Sequence, residues 1–263
     1  MEYLKQKVIL INNMENLIKN LKQLNKEFNV VGIKQSTEDE GALHNDILTM
    51  RRITESCGLK LSVKIGGCEA KTDINFCSYI GANGIVVPMV ESKFALQKFI
   101  ESIINLKNTK FYINIESKTA YKNLEQILDS PSSKLLSGVV IGRSDLTKSY
   151  GFGKDYVDSD QMHEIVYNIL TKCKEYNITT LMGGNVSSKS DKFIKKTYNE
   201  SLLYFIETRN IIIKLNKTNT QYLSPLIKNV LLFESEWLNY KANHYNSIGE
   251  EYMGRSNLIK NRF

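Results

Sequence analysis

Histidine, cysteine and proline are scarce in this chain of 263 residues, which contains 3 His, 4 Cys and 3 Pro. No two cysteines form a CxxC pair, and the histidines are not spaced as metal ligands. A structural zinc site or a disulfide framework needs such spacing, so neither is predicted. Reduced thiols, and with them a cytoplasmic location, are expected instead. The four cysteines are Cys57, Cys68, Cys77 and Cys173.

Long hydrophobic runs are absent as well. No stretch of 18 apolar residues occurs, so no membrane span is predicted. The first 20 residues contain one short apolar patch without a small-residue cleavage site, which does not fit a signal peptide. The net charge is +7, but no basic run alternates with aromatic residues, so nucleic-acid binding is not expected.

Seven short apolar runs alternate with segments of helical periodicity, which is typical of an α/β protein. Runs that are apolar throughout predict a parallel sheet covered on both faces. The pattern leaves two closures open, a doubly wound sheet and a (β/α)8 barrel, and no GxGxxG motif supports the dinucleotide-binding form of the sheet. An eighth strand would be VILI (8–11) or NIIIKL (210–215). The runs are VVGI (30–33), LSVKI (61–65), GIVVP (84–88), FYINI (111–115), GVVIG (138–142), TTLMG (179–183) and LLYFI (202–206), and the helical segments are 42–57, 71–80, 91–107, 118–129, 160–177 and 187–197.

Acidic residues and glycines follow many of these runs. Glu116 comes directly after FYINI, and Asp145 follows GVVIG and a Gly-Arg-Ser turn. In parallel α/β folds the carboxyl ends of the strands meet at one face, where ligands bind. Two carboxylates from neighbouring strands would suit Mg2+ or Mn2+, with water and substrate completing the coordination. The alternative is that either acid only caps the helix that follows it.

Several stretches resemble the HpcH/HpaI aldolase and citrate lyase β-subunit family. The paired segments INIESKTAYKNLEQIL and LLSGVVIGRSDLTKSYG carry most of the resemblance. NGIVVPMVES, KQSTEDEGAL and VKIGGCEA extend it, in the family's order, to roughly residues 28–209. The resemblance implies a pyruvate/phosphoenolpyruvate-type (β/α)8 TIM barrel. It also implies a divalent-metal-dependent lyase that makes or cleaves a carbon–carbon bond beside a 2-oxo acid.

The resemblance assigns roles to individual residues. Glu116 and Asp145 match the two metal ligands, for Mg2+ or Mn2+. The turn Gly142, Arg143 and Ser144 matches the loop whose backbone N–H groups hold the substrate carboxylate, and Pro88 falls in a matching substrate-binding segment. The metal would act as a Lewis acid that stabilises an enolate of the pyruvyl fragment.

Two positions depart from the family pattern. Lys64 stands where the aldolases usually carry an arginine that clamps the carbonyl oxygen, and a lysine lacks the bidentate fork. Glu40 is followed by Gly41, whereas the aldolases have a Glu-His pair in which histidine assists proton transfer. Lys64 and Glu40 are therefore the expected catalytic residues, with Glu69, His44 or a metal-bound water as other bases.

Other functions stay open on the same barrel. Lys64 or Lys34 could form a Schiff base with a carbonyl substrate. Chemistry on phosphoenolpyruvate itself is a related possibility. A barrel that binds an oxo acid without turnover is the non-enzymatic alternative, and the missing histidine motivates it.

The C-terminal part of the chain carries a different pattern. Residues 1–215 are expected to form the barrel and residues 216–263 a helical arm. Segment 224–243 predicts a helix, with Ser224 and Pro225 at its start and an apolar stripe. The family's barrels exchange C-terminal helices between subunits, so the arm is predicted to make a homo-oligomer. Residues 244–263 show no clear pattern.

Overall fold

The computed structural model describes residues 2–38 and 41–262. Eight strands form a closed barrel in which each strand lies beside its neighbours in sequence, and β8 closes against β1. The predicted (β/α)8 barrel is therefore confirmed. The strands are β1 (Val30–Ser36), β2 (Lys60–Lys64), β3 (Gly84–Val87), β4 (Lys110–Ile115), β5 (Gly138–Gly142), β6 (Thr180–Gly183), β7 (Phe205–Glu207) and β8 (Ile211–Lys214).

Strand β8 differs from the other seven in direction. Strands β1 to β7 are parallel, whereas β8 is antiparallel to both β7 and β1. Only residues 208–210 connect β7 to β8. A connection this short permits a hairpin but not a helical crossover, which needs about a dozen residues. The NIIIKL run thus supplies the eighth strand, while VILI (8–11) lies in a helix.

Ten α-helices are described. They fall where the helical periodicity predicted them, with three additions: a helix before β1, a short helix directly after β5, and a long extension at the C-terminus. They are α1 (Glu2–Phe28), α2 (His44–Ser56), α3 (Lys71–Tyr79), α4 (Lys93–Ile103), α5 (Lys118–Lys122), α6 (Leu124–Leu128), α7 (Arg143–Ser149), α8 (Asp160–Glu175), α9 (Asp191–Asn199) and α10 (Leu223–Lys260). Short 3-10 helices lie at Pro131–Leu135, Lys154–Asp158, Ser188–Ser190 and Asn219–Gln221.

Side chains alternate between the two faces of the barrel wall, as a period of two requires. Leu61, Val63 and Ile85 point outwards into the main core, which the surrounding helices complete. A second, smaller cluster of Val86, Val140 and Leu181 lies inside the barrel. The interior positions at the carboxyl ends of the strands are polar.

Helix α10 packs beside α1, and its residues Leu231 and Glu234 reach the carboxyl ends of the strands. Its first part buries the predicted stripe, including Val230, Phe233 and Trp237. Asn20 of α1 donates to Glu236 over 2.7 Å. The helix then continues to Lys260, so the segment 244–263 that showed no pattern is helical over most of its length. None of the described helices is both long and apolar enough to cross a membrane.

Candidate functional site

A cavity of about 360 Å³ opens at the carboxyl ends of the parallel strands. We refer to it as the strand-end cavity. It combines cations, carboxylates and backbone from the loops after β1, β2 and β4 to β7, with a wall from α10. Its lining comprises Lys34, Ser36, Lys64, Asn114, Glu116, Gly142, Ser144, Asp145, Lys154, Gly184, Asn185, Val186, Ser187, Glu207, Thr208, Arg209, Leu231 and Glu234.

Glu116 is a buried carboxylate of this cavity that three neighbouring groups hold in place. It follows β4 and is 2% exposed. Its Oε2 accepts from Asn114 Nδ2 at 2.8 Å and lies 3.3 Å from Lys64 Nζ. Its Oε1 accepts from the backbone N–H of Met89 at 3.1 Å, and Met89 has a φ of 53°. A left-handed conformation is costly for a non-glycine residue, so its presence beside Glu116 indicates a constrained site.

Gly142 creates the space that Glu116 occupies. A β-carbon at Gly142 would lie 2.7 Å from Glu116 Oε2 and 2.8 Å from Glu116 Cβ, closer than real contacts allow. The end of β5 therefore has to be glycine for Glu116 to enter the cavity. Three residues later, in the first turn of α7, Asp145 lines the same cavity. The structure thus brings the two predicted metal ligands to one cavity.

The turn between β5 and α7 presents backbone rather than side chain. A β-carbon at Gly184 would lie 2.6 Å from the backbone nitrogen of Arg143 and 2.4 Å from that of Ser144. Gly184 has a φ of 80° and can approach so closely because it has no side chain. The loop after β6 therefore packs against the backbone of the turn that was predicted to bind a carboxylate.

The side chain of Arg143 is fully buried and is not part of the cavity wall. Its Nη1 lies 2.7 Å from Asp158 Oδ1, its Nη2 donates to Ser190 Oγ at 3.0 Å, and its Nε donates to the carbonyl of Gly183 at 3.2 Å. Burial lowers the pKa of the Arg143 guanidinium, and the negative charge of Asp158 partly offsets this by raising it. Arg143 can thus offer substrate only its backbone, while its side chain fastens the turn to the rest of the barrel.

Asp158 is the centre of that buried network. Besides Arg143 it accepts from Ser190 Oγ at 2.8 Å, and His163 Nε2 lies 3.6 Å away. Burial alone would raise the pKa of Asp158. The charge and hydrogen bond of Arg143, together with the nearby His163 and Ser190, outweigh burial and hold the pKa of Asp158 well below its ordinary value.

A second ion pair, between Lys34 of β1 and Glu207 at the end of β7, lies in the same cavity. Glu207 is 3% exposed, and its Oε2 has no hydrogen-bond partner within the described part of the chain. A buried carboxylate oxygen without a partner is costly and calls for a ligand, an ion or a proton. Glu207 directly follows the predicted strand LLYFI (202–206), but it was not among the predicted site residues. Its signal was an acid that ends an apolar run, the same signal that identified Glu116.

Several residues considered from sequence lie elsewhere. Pro88 follows β3 and is half-buried, and its neighbour Met89 makes the contact with Glu116. His44 begins α2 and stacks on Phe76, with ring centroids 3.8 Å apart. Glu69 is 53% exposed and lies 3.0 Å from Lys98. In the described chain none of Pro88, His44 and Glu69 lines the strand-end cavity. Glu40 lies outside the described residues.

The oxygen donors of the cavity fit a hard divalent cation. Glu116 and Asp145 contribute carboxylates, and Asn114 Oδ1 is buried without a hydrogen-bond partner in the described structure, as is Glu207 Oε2. Oxygen-only ligand sets favour Mg2+ or Mn2+ over softer metals. Over residues 2–38 and 41–262, no cluster of three or more His, Cys, Asp or Glu is positioned to hold a metal. A cation here would thus depend on two carboxylates together with amide, water or substrate oxygens.

Comparison with known proteins gives one family and several structural neighbours. A family model described as HpcH/HpaI aldolase/citrate lyase matches residues 45–198. No curated protein sequence matches the chain. A solved variant of the citrate synthase SbnG is 17% identical, covers 77% of this chain and 83% of its own, and gives a TM-score of 0.55.

Two further neighbours have the same TM-score. An HpcH/HpaI aldolase/citrate lyase family protein from Burkholderia cenocepacia is 15% identical over 66% of this chain and 77% of its own, with a TM-score of 0.55. An HpcH/HpaI aldolase from Desulfitobacterium hafniense is 12% identical over 75% of this chain and 82% of its own, also at 0.55. At such identities the structural likeness concerns the fold alone.

Proposed function

The chain belongs to the HpcH/HpaI aldolase/citrate lyase family, and from that premise we propose that it is a divalent-metal-dependent carbon–carbon lyase. Family membership supports a lyase or aldolase type of activity. The finer proposal is that the substrate is a pyruvate-like 2-oxo acid or its adduct. One observation carries it: Glu116 and Asp145 line a single cavity, together with Gly142 and Ser144 of the turn that would bind the substrate carboxylate.

In this proposal Glu116 and Asp145 hold Mg2+ or Mn2+. The bound cation would supply Lewis acidity toward the oxygens of a 2-oxo acid. Asn114 and Met89 orient the Glu116 carboxylate through the hydrogen bonds that each donates. The role of Gly142, Arg143 and Ser144 is to bind the substrate carboxylate through the turn at the end of β5, since backbone N–H groups are effective donors to anions.

The proposed role of Lys64 is to stabilise the negative charge that develops on the carbonyl oxygen when the carbon–carbon bond breaks. Its ammonium group lies in the cavity 3.3 Å from Glu116. A fixed cation beside a developing oxyanion stabilises the transition state more than the ground state. As a point charge, lysine constrains the oxygen less tightly than an arginine fork would.

Proton transfer needs a base. Glu40 stays a prediction, because it lies outside the described residues. Among the described carboxylates, Glu207 offers a buried oxygen without a hydrogen-bond partner at the wall of the cavity. In this proposal Glu207 Oε2 accepts the proton of the substrate hydroxyl as the carbon–carbon bond breaks. After cleavage, Glu207 donates that proton to the carbon of the pyruvyl fragment.

The decisive experiment replaces the two proposed metal ligands. Glu116→Gln and Asp145→Asn should each abolish metal-dependent release of pyruvate from a panel of 4-hydroxy-2-oxo acids and leave the circular dichroism spectrum unchanged. Glu125→Gln is a matched control, since Glu125 is 68% exposed. Full activity in both ligand variants, or activity that persists in EDTA, refutes the metal proposal.

A Schiff-base aldolase is the second candidate, because two lysines enter the cavity. The side chains of Lys34 and Lys64 are 14% and 13% exposed, and each pairs with a buried carboxylate. An ammonium has to lose its proton before it can attack a carbonyl. Borohydride trapping of a pyruvate adduct in the presence of EDTA would select this mechanism over the metal-dependent one.

We further propose a cytoplasmic homo-oligomer. The four cysteines are free thiols, as expected in a reducing compartment. Helix α10 carries exposed large side chains at every seventh position: Leu231, Leu238, Tyr245, Tyr252 and Ile259. Apolar residues that repeat every seven positions are typical of helices that pair with another helix. The partner we propose is α10 of a second copy.

A further inference from the structure

A second cavity of about 260 Å³ lies inside the barrel at the opposite end from the proposed catalytic site. We refer to it as the strand-start cavity. Lys60 and Lys110 are the first residues of β2 and β4, Asn83 directly precedes β3 and Asn108 lies two residues before β4, so its mouth opens at the amino ends of the strands. Its lining comprises Val31, Gly32, Lys60, Ser62, Asn83, Val86, Asn108, Lys110, Tyr112, Leu181, Phe205, Glu207 and Ile212.

A cavity here is unusual, because layers of branched side chains ordinarily fill the interior of such barrels. This chain places glycine at two of those inner positions. The ring of Tyr112 lies across Gly84 and Gly138, whose β-carbons would stand 3.4 and 3.1 Å from it. With glycine at these positions and serine at Ser62, the inner layer lacks the volume to close the space above Tyr112.

The wall of the strand-start cavity is apolar. The two ends of the cavity carry opposite charges. Leu181, Phe205 and Ile212 form the wall together with the ring of Tyr112. Lys60 and Lys110 stand at the mouth, and in the described structure neither side chain has an ion pair or hydrogen bond. Glu207, at the inner end, is a buried carboxylate that also lines the strand-end cavity.

This arrangement of apolar surface and charged groups favours one class of ligand. An apolar wall favours a ring or short chain, and two cations at the mouth favour an anionic head there. The Glu207 carboxylate repels an anion from the inner end, so the head has to face outwards. An apolar cavity of roughly 150 Å³ is enough to bind benzene, and the 260 Å³ found here leaves room for a ring with a carboxylate.

We infer that the strand-start cavity is a second ligand site, which takes a small monocarboxylate with an apolar ring or chain. The site opens at the other end of the barrel and does not rest on the proposed lyase activity, although Glu207 borders both cavities. Benzoate is a suitable probe, with benzamide as the uncharged molecule of the same shape.

Methyl-labelled full-length protein reports the location of binding by NMR. Benzoate should shift the methyl signals of Leu181, Val86 and Ile212, but not those of Val186 and Leu231 in the strand-end cavity. We expect benzoate to bind at least fivefold more tightly than benzamide at low salt. The preference should shrink at 0.5 M NaCl, because the two lysines are exposed to screening.

Two kinds of variant test the assignment. The double variant Lys60→Ala/Lys110→Ala should bind benzoate and benzamide equally, and Lys93→Ala/Lys122→Ala is the matched surface control. Leu181→Trp should fill the cavity and abolish binding of both probes. Ile212→Phe serves the same purpose from the opposite wall if Leu181→Trp fails to fold. Asp145→Asn should leave benzoate binding unchanged.

Any of the following outcomes would overturn the inference. One is the absence of saturable shifts up to 50 mM benzoate. Another is equal affinity of the unmodified protein for benzoate and benzamide. The third is benzoate binding that survives in folded Leu181→Trp and Ile212→Phe, or that shifts only the methyl groups of the strand-end cavity.

Discussion

The Lys64 ammonium nitrogen lies 3.3 Å from Oε2 of Glu116, across the ends of two strands that β3 separates. The pair places a cation against the carboxylate that we propose as a metal ligand. Lys64 therefore has two partners in the proposed reaction, Glu116 in the resting state and the substrate oxygen during bond cleavage. Its removal should affect turnover more than folding.

Lys64→Ala should lower kcat about a hundredfold, the usual effect of removing one group that stabilises an oxyanion. Lys64→Arg should restore part of the activity, because it retains the charge. Steady-state kinetics on both variants, with Lys71→Ala as control, measure the difference. An unchanged kcat in Lys64→Ala would remove Lys64 from the mechanism.

Glu207→Gln should lower kcat by about 10² to 10⁴, the range for loss of a general base. Glu234 provides a matched control, since it is also buried and lines the same cavity. Its Oε1 accepts from Thr208 Oγ1 and from the backbone N–H of Asn210, both at 2.6 Å, so it holds the β7–β8 turn. Glu234→Gln should reduce stability and spare kcat. The reverse pattern would contradict the role of Glu207.

The network around Asp158 predicts a stability effect that depends on pH. Asp158→Asn should destabilise the protein by about 3 kcal/mol at pH 7, because it leaves the buried guanidinium of Arg143 without its partner charge. Folding depresses the pKa of Asp158. The stabilisation is therefore present above the unfolded-state pKa of about 4 and is lost as the pH falls below it.

Urea unfolding of Asp158→Asn and of the unmodified chain at pH 7, 5 and 3.5 checks this effect. The difference between the two should persist at pH 5 and narrow at pH 3.5. Asp155→Asn, at an exposed position in the same 3-10 helix, should match the unmodified chain throughout. A difference that widens with acid would reverse the assigned sign.

The cysteines should divide into two reactivity classes. Burial raises the pKa of Cys77 and of Cys173 to about 12, so at pH 8 almost none of either thiol is ionised. Cys57 and Cys68 are only partly buried. A disulfide reagent at pH 8 should therefore modify at most two thiols in the folded protein and all four in guanidinium. Rapid modification of four thiols in the folded state would contradict this burial.

The proposed role of helix α10 in oligomerisation can be tested by truncation. The structure determines where the chain can be cut. Removal of everything after Arg209 would delete β8 and the buried residues of α10, so the barrel itself would fail. A chain that ends at Asn246 keeps Tyr245, whose hydroxyl donates to Asp46 over 2.7 Å. We expect it to fold as a smaller species in gel filtration.

Point variants separate the proposed helix pairing from a general loss of chain length. Tyr252→Glu with Ile259→Glu places two charges on the heptad face and should also dissociate the oligomer. Asn257→Glu, on the opposite face of the helix, is the control. An unchanged elution volume for the double variant would rule out pairing through this face.

Periodicity located most of the fold because its elements are regular. Runs such as GVVIG are apolar at every position, which happens only when helices cover both faces of a sheet, and residues 138–142 form β5 as predicted. The direction of β8 could not be predicted from the sequence, because NIIIKL has no feature that distinguishes parallel from antiparallel pairing. Only the length of the connection to β7, which depends on where each strand ends, decides it.

The site was predictable in part for a similar reason. Glu116 and Asp145 stand out as acids after apolar strands. The sequence does not show that the Arg143 side chain turns away from the cavity, because this depends on Asp158 and Ser190 from later loops. The pairing of Lys34 with Glu207 joins the first and seventh strands, and no local pattern encodes such a contact.

The antiparallel strand that completes the barrel also sets the order of events during synthesis. Ile33 of β1 pairs with Ile211 of β8, so about 180 residues separate the two partners. At 5 to 20 residues per second, the ribosome needs roughly 10 to 40 s to supply the second after the first. Throughout that interval the nascent chain has an exposed edge at β1 that can pair with other chains. The barrel therefore cannot close before β8 has been synthesised, and slow translation of the codons between β1 and β8 would prolong the period in which this edge is open to aggregation.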